Sequence, residues 1–236
     1  MEPDFWHARW REGQIGFHRA AVEPALAAHW TTLIGPADGR RVLVPLCGKT
    51  HDLRWLLEAG HRVVGVELSA VACRDFFVEQ GWQAAVEEGQ GRDRRTGRAV
   101  TWRRHRGLGP ADGLELVEAD ILALPDDVLG SVELLYDRAS LIALPAGGPQ
   151  RLRERLVERL AGWLPTGARG LLVTMDYPQE QRRGPPFAIG PASAEALLGA
   201  AFEVEALAER DLLAEEGGSR WPVDRLSEHT FALRRR

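Results

Sequence analysis

Cysteine is scarce in this chain: two among 236 residues, Cys47 and Cys73. There is no CxxC pair and no ladder of spaced cysteines, so a disulfide framework is excluded and a reducing cytoplasm is the expected setting. The seven histidines form no HExxH, and no metal centre is expected. No apolar run approaches the ~18 residues of a membrane span. The opening MEPDFWHARW lacks an apolar segment of the signal-peptide kind. Neither charge dominates: 30 Lys and Arg face 34 Asp and Glu, for a net charge of −4. That balance gives no reason to expect nucleic-acid binding. The arginine clusters at 92–106 and 234–236 read as solvated surface. No helical heptad or broad apolar stripe calls for a partner chain, so a monomer acting on small molecules is expected.

What is present is ordinary for a globular protein, with 44% hydrophobic and 27% charged residues. The exception is eight tryptophans against two tyrosines. Trp6 and Trp10 lie in a polar amino-terminal stretch and, four apart, share one helical face. Residues 22–33 read as a helix closed by Gly35-Pro36. Alternation then begins. Residues 42–46 form an apolar strand, 51–59 a helix entered at Thr50 as N-cap, and 62–67 a second strand. Ser69 caps a helix running to about residue 80, with Val71, Phe76 and Phe77 inward. Residues 82–86 and 99–104 read as a hairpin around a polar loop at 89–97. Strands follow at 114–118, 131–136 and 170–175, with helices at 150–164 and 191–198. An antiparallel pair at 202–208 and 229–233 ends the chain. This order describes a single α/β domain over 1–236: an amino-terminal lid with helices at 1–35, then an α/β sandwich at 40–236. The expected sheet is Rossmann-like, mostly parallel and seven-stranded, with helices on both faces.

Ligands of such sheets sit outside the carboxyl ends of the strands. Those ends carry Leu46-Cys47-Gly48, Glu67, Asp120-Ile121, Asp137-Arg138 and Asp176-Tyr177-Pro178. The first turn, PLCGK, has one glycine where a dinucleotide site needs three in GxGxxG spacing. The P-loop pattern also fails, because Leu43 stands where its first glycine belongs. A pyrophosphate or triphosphate is therefore disfavoured. A carboxylate at the end of the second strand suits a ribose, so the pattern points to S-adenosylmethionine (AdoMet). Glu67 would take the ribose hydroxyls, Asp120 the adenine amino group and Ile121 the ring face. Arg138 would face an anionic acceptor, unless it merely pairs with Asp137. Cys47 reads as a small packing residue, and His7 and His18 as surface or packing groups.

The segments FWHARWREGQIGFH, VLVPLCGKTHDLRWLLEAGHRVVGVELS, YDRASLIAL and DYPQEQRRGPPFAI together resemble the thiopurine S-methyltransferase family, in its bacterial branch. The resemblance runs from about residue 5 to 233. It implies a class I AdoMet-dependent methyltransferase with AdoMet contacts at Trp10, Leu46, Glu67 and Arg138, and with Asp120 and Ile121 near the adenine. It also implies a lid in which Trp6 and Phe17 line the acceptor site. The arginine-rich stretch 89–113 departs from the family's expected length, and Arg220 is only loosely placed beside the acceptor.

The expected chemistry is an in-line displacement in which a thiolate takes the sulfonium methyl. The protein aligns the groups and excludes water. A heteroaromatic thiol is already partly ionised near neutral pH, so neither a general base nor a metal is expected. Arg138 is the residue expected to steady negative charge on the acceptor. The expected acceptors are thiopurines and other aromatic or heterocyclic thiols, with selenium or tellurium species and a role in detoxification. Two alternatives stand: a methyltransferase of halide or simple thiol ions, and a non-catalytic protein that binds AdoMet or oxyanions.

Overall fold

The computed structural model describes residues 3–216 and 221–236, which fall into two compact units, 1–134 and 135–236. In the first unit, helix α1 (Pro3–Arg11) and helix α2 (Pro24–Ile34) precede strand β1 (Arg41–Pro45), helix α3 (Asp52–Glu58), strand β2 (Arg62–Glu67) and helix α4 (Ala70–Gln80). Strands β3 (Gln83–Arg92), β4 (Ala99–Leu108) and β5 (Leu114–Glu118) complete it. The strand order is β3-β4-β5-β2-β1. The β1–β2 and β2–β5 pairs are parallel, in registers such as Leu43 opposite Val64 and Gly65 opposite Leu116. Every residue of β1 is buried, in keeping with the apolar run that begins at Val42. Gly65 is the close-approach point of β2: a Cβ there would lie 2.6 Å from Cys47 Sγ and 2.7 Å from Leu116 Cδ2.

The second unit carries strand β6 (Leu134–Arg138, entered one residue before the division), helix α5 (Ser140–Ala143), helix α6 (Leu152–Trp163) and strand β7 (Arg169–Asp176). Helix α7 (Pro191–Leu198), strand β8 (Phe202–Asp211), helix α8 (Leu212–Glu216) and strand β9 (Ser227–Arg235) follow. Its strand order is β6-β7-β9-β8, with β9 antiparallel to both β7 and β8. Among the described residues no helix is long and apolar enough to cross a membrane.

Among the described residues nine strands are present where seven were expected. The difference equals the two strands of the β3–β4 hairpin, which pairs antiparallel with β5 and extends the sheet. Its strands are also longer than predicted, because Gly89 and Gly91 stand inside β3 rather than in a loop. A Cβ at Gly89 would fall 2.4 Å from the Trp102 ring, and one at Gly91 would fall 3.2 Å from it. The two glycines thus make room for a tryptophan on the neighbouring strand. The arginines here are not a free basic patch: Arg103 pairs with Glu88 at 2.8 Å, Arg104 with Glu115 at 2.7 Å and Arg106 with Glu87 at 3.4 Å. Two smaller expectations also change. The cap position of α3 falls at His51, which makes no side-chain bond, while Thr50 one residue earlier accepts the Asp52 amide on its hydroxyl at 3.3 Å. The strand predicted at 131–136 starts three residues later, so Asp137 and Arg138 close β6 rather than follow it.

Candidate active site

The chain turns immediately after β1. Leu46 adopts a left-handed conformation at φ 47°, and Gly48 one at φ 54°. A non-glycine residue in this region costs on the order of 1–3 kcal/mol and persists only where its surroundings hold it. The Cys47 amide donates to the Val66 carbonyl at 3.1 Å. The Gly48 amide donates to the Glu67 carboxylate at 2.8 Å. The turn is thereby tied to the end of β2.

Glu67 is 6% exposed, and its second oxygen accepts the Ser69 amide at 2.8 Å. Ser69 in turn caps α4, its hydroxyl accepting the Ala72 amide. Burial pushes the Glu67 carboxyl above its usual pKa, while the amides of Ser69, Gly48 and Leu68 pull the other way. Among the described residues no cation pairs with it. A carboxylate offers about four lone-pair positions, and two carry hydrogen bonds here. This buried acid, with acceptor capacity to spare, fits a vicinal diol such as the ribose of AdoMet.

The amino-terminal segment closes over this turn. Trp10 is 6% exposed, and a Cβ at Gly48 would meet its ring at 3.2 Å. Phe17 meets Trp6 and Trp10 edge-on, with centroids 5.7 and 5.5 Å apart. Such pairs add roughly 0.5–1.5 kcal/mol each beyond burial. Phe17 itself remains 39% exposed. The segment is anchored where Arg19 pairs with Glu23 at 3.0 Å and the Glu23 amide donates to Asp52 at 2.8 Å. His18 lies against His51, with ring centroids 5.9 Å apart. Two tryptophans in a polar stretch are thus explained by packing: Trp10 is core, and Trp6 is half-buried beside Phe17.

At the end of β5, the Ala119 amide donates to the Glu67 carbonyl at 2.9 Å, which sets Asp120 and Ile121 beside the carboxyl end of β2. Asp120 accepts the Leu122 amide at 2.9 Å, and Ile121 is buried. Trp6, Trp10, Phe17, Leu46, Glu67, Asp120 and Ile121 therefore gather at one edge of the first unit. Cys47 packs against Gly65, and burial raises its thiol pKa well above the usual value. That environment does not make a nucleophile. A groove of about 640 Å³ at the opposite edge, lined by Arg41, His61, Arg62 and Glu115, contains none of the predicted residues.

Arg138 is the last residue of β6 in the second unit and is half-buried. Asp137 beside it is 1% exposed, and burial raises its pKa to about 6. Its oxygens accept the Ser140 amide at 3.2 Å and the Ser140 hydroxyl at 2.6 Å. The alternative of an Asp137–Arg138 ion pair is therefore not realised. Ala139, between Arg138 and Ser140, is left-handed at φ 76°. The short α5 beyond is held from two further sides. Phe187 N–H donates to the Ile142 carbonyl at 2.7 Å, and Arg153 Nε reaches the carbonyls of Leu141 and Leu144. Ser140 was not singled out from the sequence, although an acid three residues before a serine at a helix start is a capping pattern. Arg220 lies outside the described residues.

A family model described as Thiopurine S-methyltransferase matches residues 1–236. The chain belongs to the thiopurine S-methyltransferase family. A protein of that name from Xanthomonas campestris pv. campestris is 44% identical over 236 residues, covering all of both chains. Another, from Pseudomonas fluorescens, is 43% identical over 99% of each chain. Among solved structures, Burkholderia thailandensis 1,6-didemethyltoxoflavin-N1-methyltransferase with bound S-adenosylhomocysteine superposes with a TM-score of 0.62. It is 17% identical, over 99% of this chain and 86% of that one. A likeness at that identity speaks for the fold, which is the α/β methyltransferase fold expected from the sequence.

Proposed function

We propose that this member of the thiopurine S-methyltransferase family transfers a methyl group from AdoMet to the sulfur of aromatic and heterocyclic thiols, thiopurines among them. We extend the acceptors to selenium and tellurium nucleophiles, and the role to clearing such compounds in the cytoplasm by a monomeric enzyme. The observation that carries the reading is Glu67: a buried carboxylate with spare acceptor capacity, bonded to the amide of a one-glycine turn under Trp10.

AdoMet supplies a methyl group already activated by its sulfonium charge. Glu67 holds the ribose hydroxyls, and Asp120 and Ile121 meet the adenine. Leu46 and Trp10 shape the wall around the turn. Trp6 and Phe17 line the acceptor side and exclude water, which strengthens every charge interaction within. Arg138 contacts the cofactor and offers a fixed positive charge to the acceptor, favouring its thiolate form. The acceptor sulfur enters ionised, so alignment rather than proton transfer is the work of the protein.

The test is turnover of labelled AdoMet with a thiopurine, thiophenol, iodide, selenite and no acceptor. Methylation of the thiopurine or thiophenol is expected. Transfer to iodide alone would favour the halide reading, and AdoMet binding without transfer to any acceptor would favour a sequestering protein.

A further inference from the structure

We propose that Arg182, stacked on Trp221, is a specificity-determining residue that selects acceptors bearing a carboxylate on a planar aromatic ring. The proposal deepens the aromatic-thiol reading and rests on it. β7 ends at Asp176 opposite Ser227, the first residue of β9, so the segments after β7 and before β9 leave the sheet at one edge. They are stitched together there. The Gln181 side chain donates to the Asp224 carboxylate at 2.6 Å and accepts the Asp224 amide at 2.8 Å. Arg225 pairs with Asp176 at 2.7 Å. Gln179 braces the same segment by donating to the Tyr177 hydroxyl at 3.0 Å and to the Arg182 carbonyl at 2.8 Å. Trp221 packs beside Tyr177, with centroids 6.0 Å apart, and against the small core of Tyr177, Leu212 and Leu226.

On this rigid platform the Arg182 guanidinium carbon lies 4.0 Å from the Trp221 ring centroid. A cation over an indole face is held flat by the ring quadrupole. The Nε of Arg182 is buried without an acceptor. The neighbouring acids are engaged elsewhere: Asp176 by Arg225 and Asp224 by Gln181. Among the described residues Arg182 makes no ion pair, and it is half-buried, so its planar fork is open to a carboxylate at its edge. The same segment carries Phe187, whose amide bonds to Ile142 four residues beyond Arg138. The Arg182 segment is thus tied by a backbone hydrogen bond to the short helix that follows Arg138, within one unit. A cation held on that segment suits an acceptor that carries a ring carboxylate beside its thiolate.

The experiment compares 3-mercaptobenzoate with thiophenol as acceptors for the wild type, Arg182→Met and Arg182→Lys. Calorimetric binding of 3-mercaptobenzoate in the presence of S-adenosylhomocysteine is measured alongside. In Arg182→Met the ratio of kcat/KM for the carboxylated over the uncarboxylated acceptor is expected to fall at least tenfold, with a smaller fall in Arg182→Lys. Binding of the mercaptobenzoate is expected to weaken in parallel. Melting temperature and cofactor affinity report whether each variant is folded. An unchanged ratio, with both acceptors affected equally or neither affected, overturns the proposal and leaves Arg182 as packing. If the wild type methylates neither thiol, the methyltransferase reading fails by itself and the binding arm still decides. Mercaptobenzoate that does not bind the wild type, or that binds Arg182→Met equally well, overturns the role of Arg182.

Discussion

Glu67→Gln separates the two tasks assigned to Glu67, holding the β1 turn and holding the cofactor. The side chain keeps its size, but one oxygen becomes an NH2 group. In the native protein each oxygen accepts one backbone amide, from Gly48 and from Ser69, both at 2.8 Å. Glutamine can accept only one of them, and the other amide then faces a donor. An unsatisfied buried donor costs roughly 1–3 kcal/mol. Removing a charge that burial disfavours offsets part of this. The net change in melting temperature should therefore be small, because 1 kcal/mol moves a domain of this size by only about 2–4 °C. Cofactor binding has no such offset. Hydrogen bonds to a charged acceptor contribute roughly 1.5–3 kcal/mol, so AdoMet affinity should fall roughly tenfold to a hundredfold. Calorimetry with S-adenosylhomocysteine measures this directly, and a thermal scan verifies the fold. A folded Glu67→Gln protein with native cofactor affinity would refute the ribose assignment. The pH dependence has a definite sign. Burial places the folded pKa of Glu67 above its ordinary value of 4.5, so the folded state holds the extra proton between the two values. Stability attributable to this group falls as pH rises through that window, while cofactor affinity rises with it.

Asp137 should show the same sign: its folded pKa of about 6 lies above the ordinary value of 3.8, so stability declines from about pH 4 to pH 6 by on the order of 3 kcal/mol. Asp137→Asn should flatten that stretch of a melting-temperature-against-pH curve, and an unchanged slope would show that another group is responsible. Gly65→Ala forces a Cβ within 2.6 Å of Cys47 Sγ and should cost roughly 1–3 kcal/mol of overpacking. Denaturant unfolding would measure the loss, and Cys47→Ala in the same protein should restore part of it. Arg138→Met should lower kcat/KM for a thiophenolate acceptor roughly tenfold to a hundredfold through loss of a charged hydrogen bond; a defect confined to cofactor affinity would assign Arg138 to AdoMet alone.

Much of this was legible in the sequence because the signals were local. The strand 62–67 was read to the residue, since its apolar run is bounded by Gly60 and by the helix-capping Ser69. Helix α7 was also read at its true bounds, because Pro191 opens it and Gly199 follows it. The hairpin was read short for a physical reason. Glycine inside a strand looks like a loop until the partner tryptophan that fills its place is known, and that partner lies thirteen residues on. The burial of Trp10 was hidden similarly, because its contact with Gly48 is made across the fold. The arginines of β4 looked like a basic cluster because their carboxylate partners sit on β3 and β5, at positions only register can reveal.

The two turns at the heart of the proposed chemistry repeat one device that the sequence could not announce. After β1, Leu46 is left-handed and a buried carboxylate, Glu67, takes a turn amide. After β6, Ala139 is left-handed and a buried carboxylate, Asp137, takes the amide of Ser140. Each turn lacks the glycine that would make it easy where the strain falls, so each strained residue must be held by its surroundings. A buried carboxylate does this well, because it accepts several amides from a single point and is costly to leave unsatisfied. In the first turn the acid that holds the backbone is also the one proposed for the ribose, a role that would couple cofactor binding and turn geometry through the same two oxygens. In the second, Asp137 is consumed by the turn, and Arg138 beside it is the residue we propose for the acceptor. The sequence shows an acid at the end of a strand in both places. Only the hydrogen bonds distinguish the acid with lone pairs to spare from the acid that serves as a brace, and that distinction separates a cofactor ligand from its scaffold.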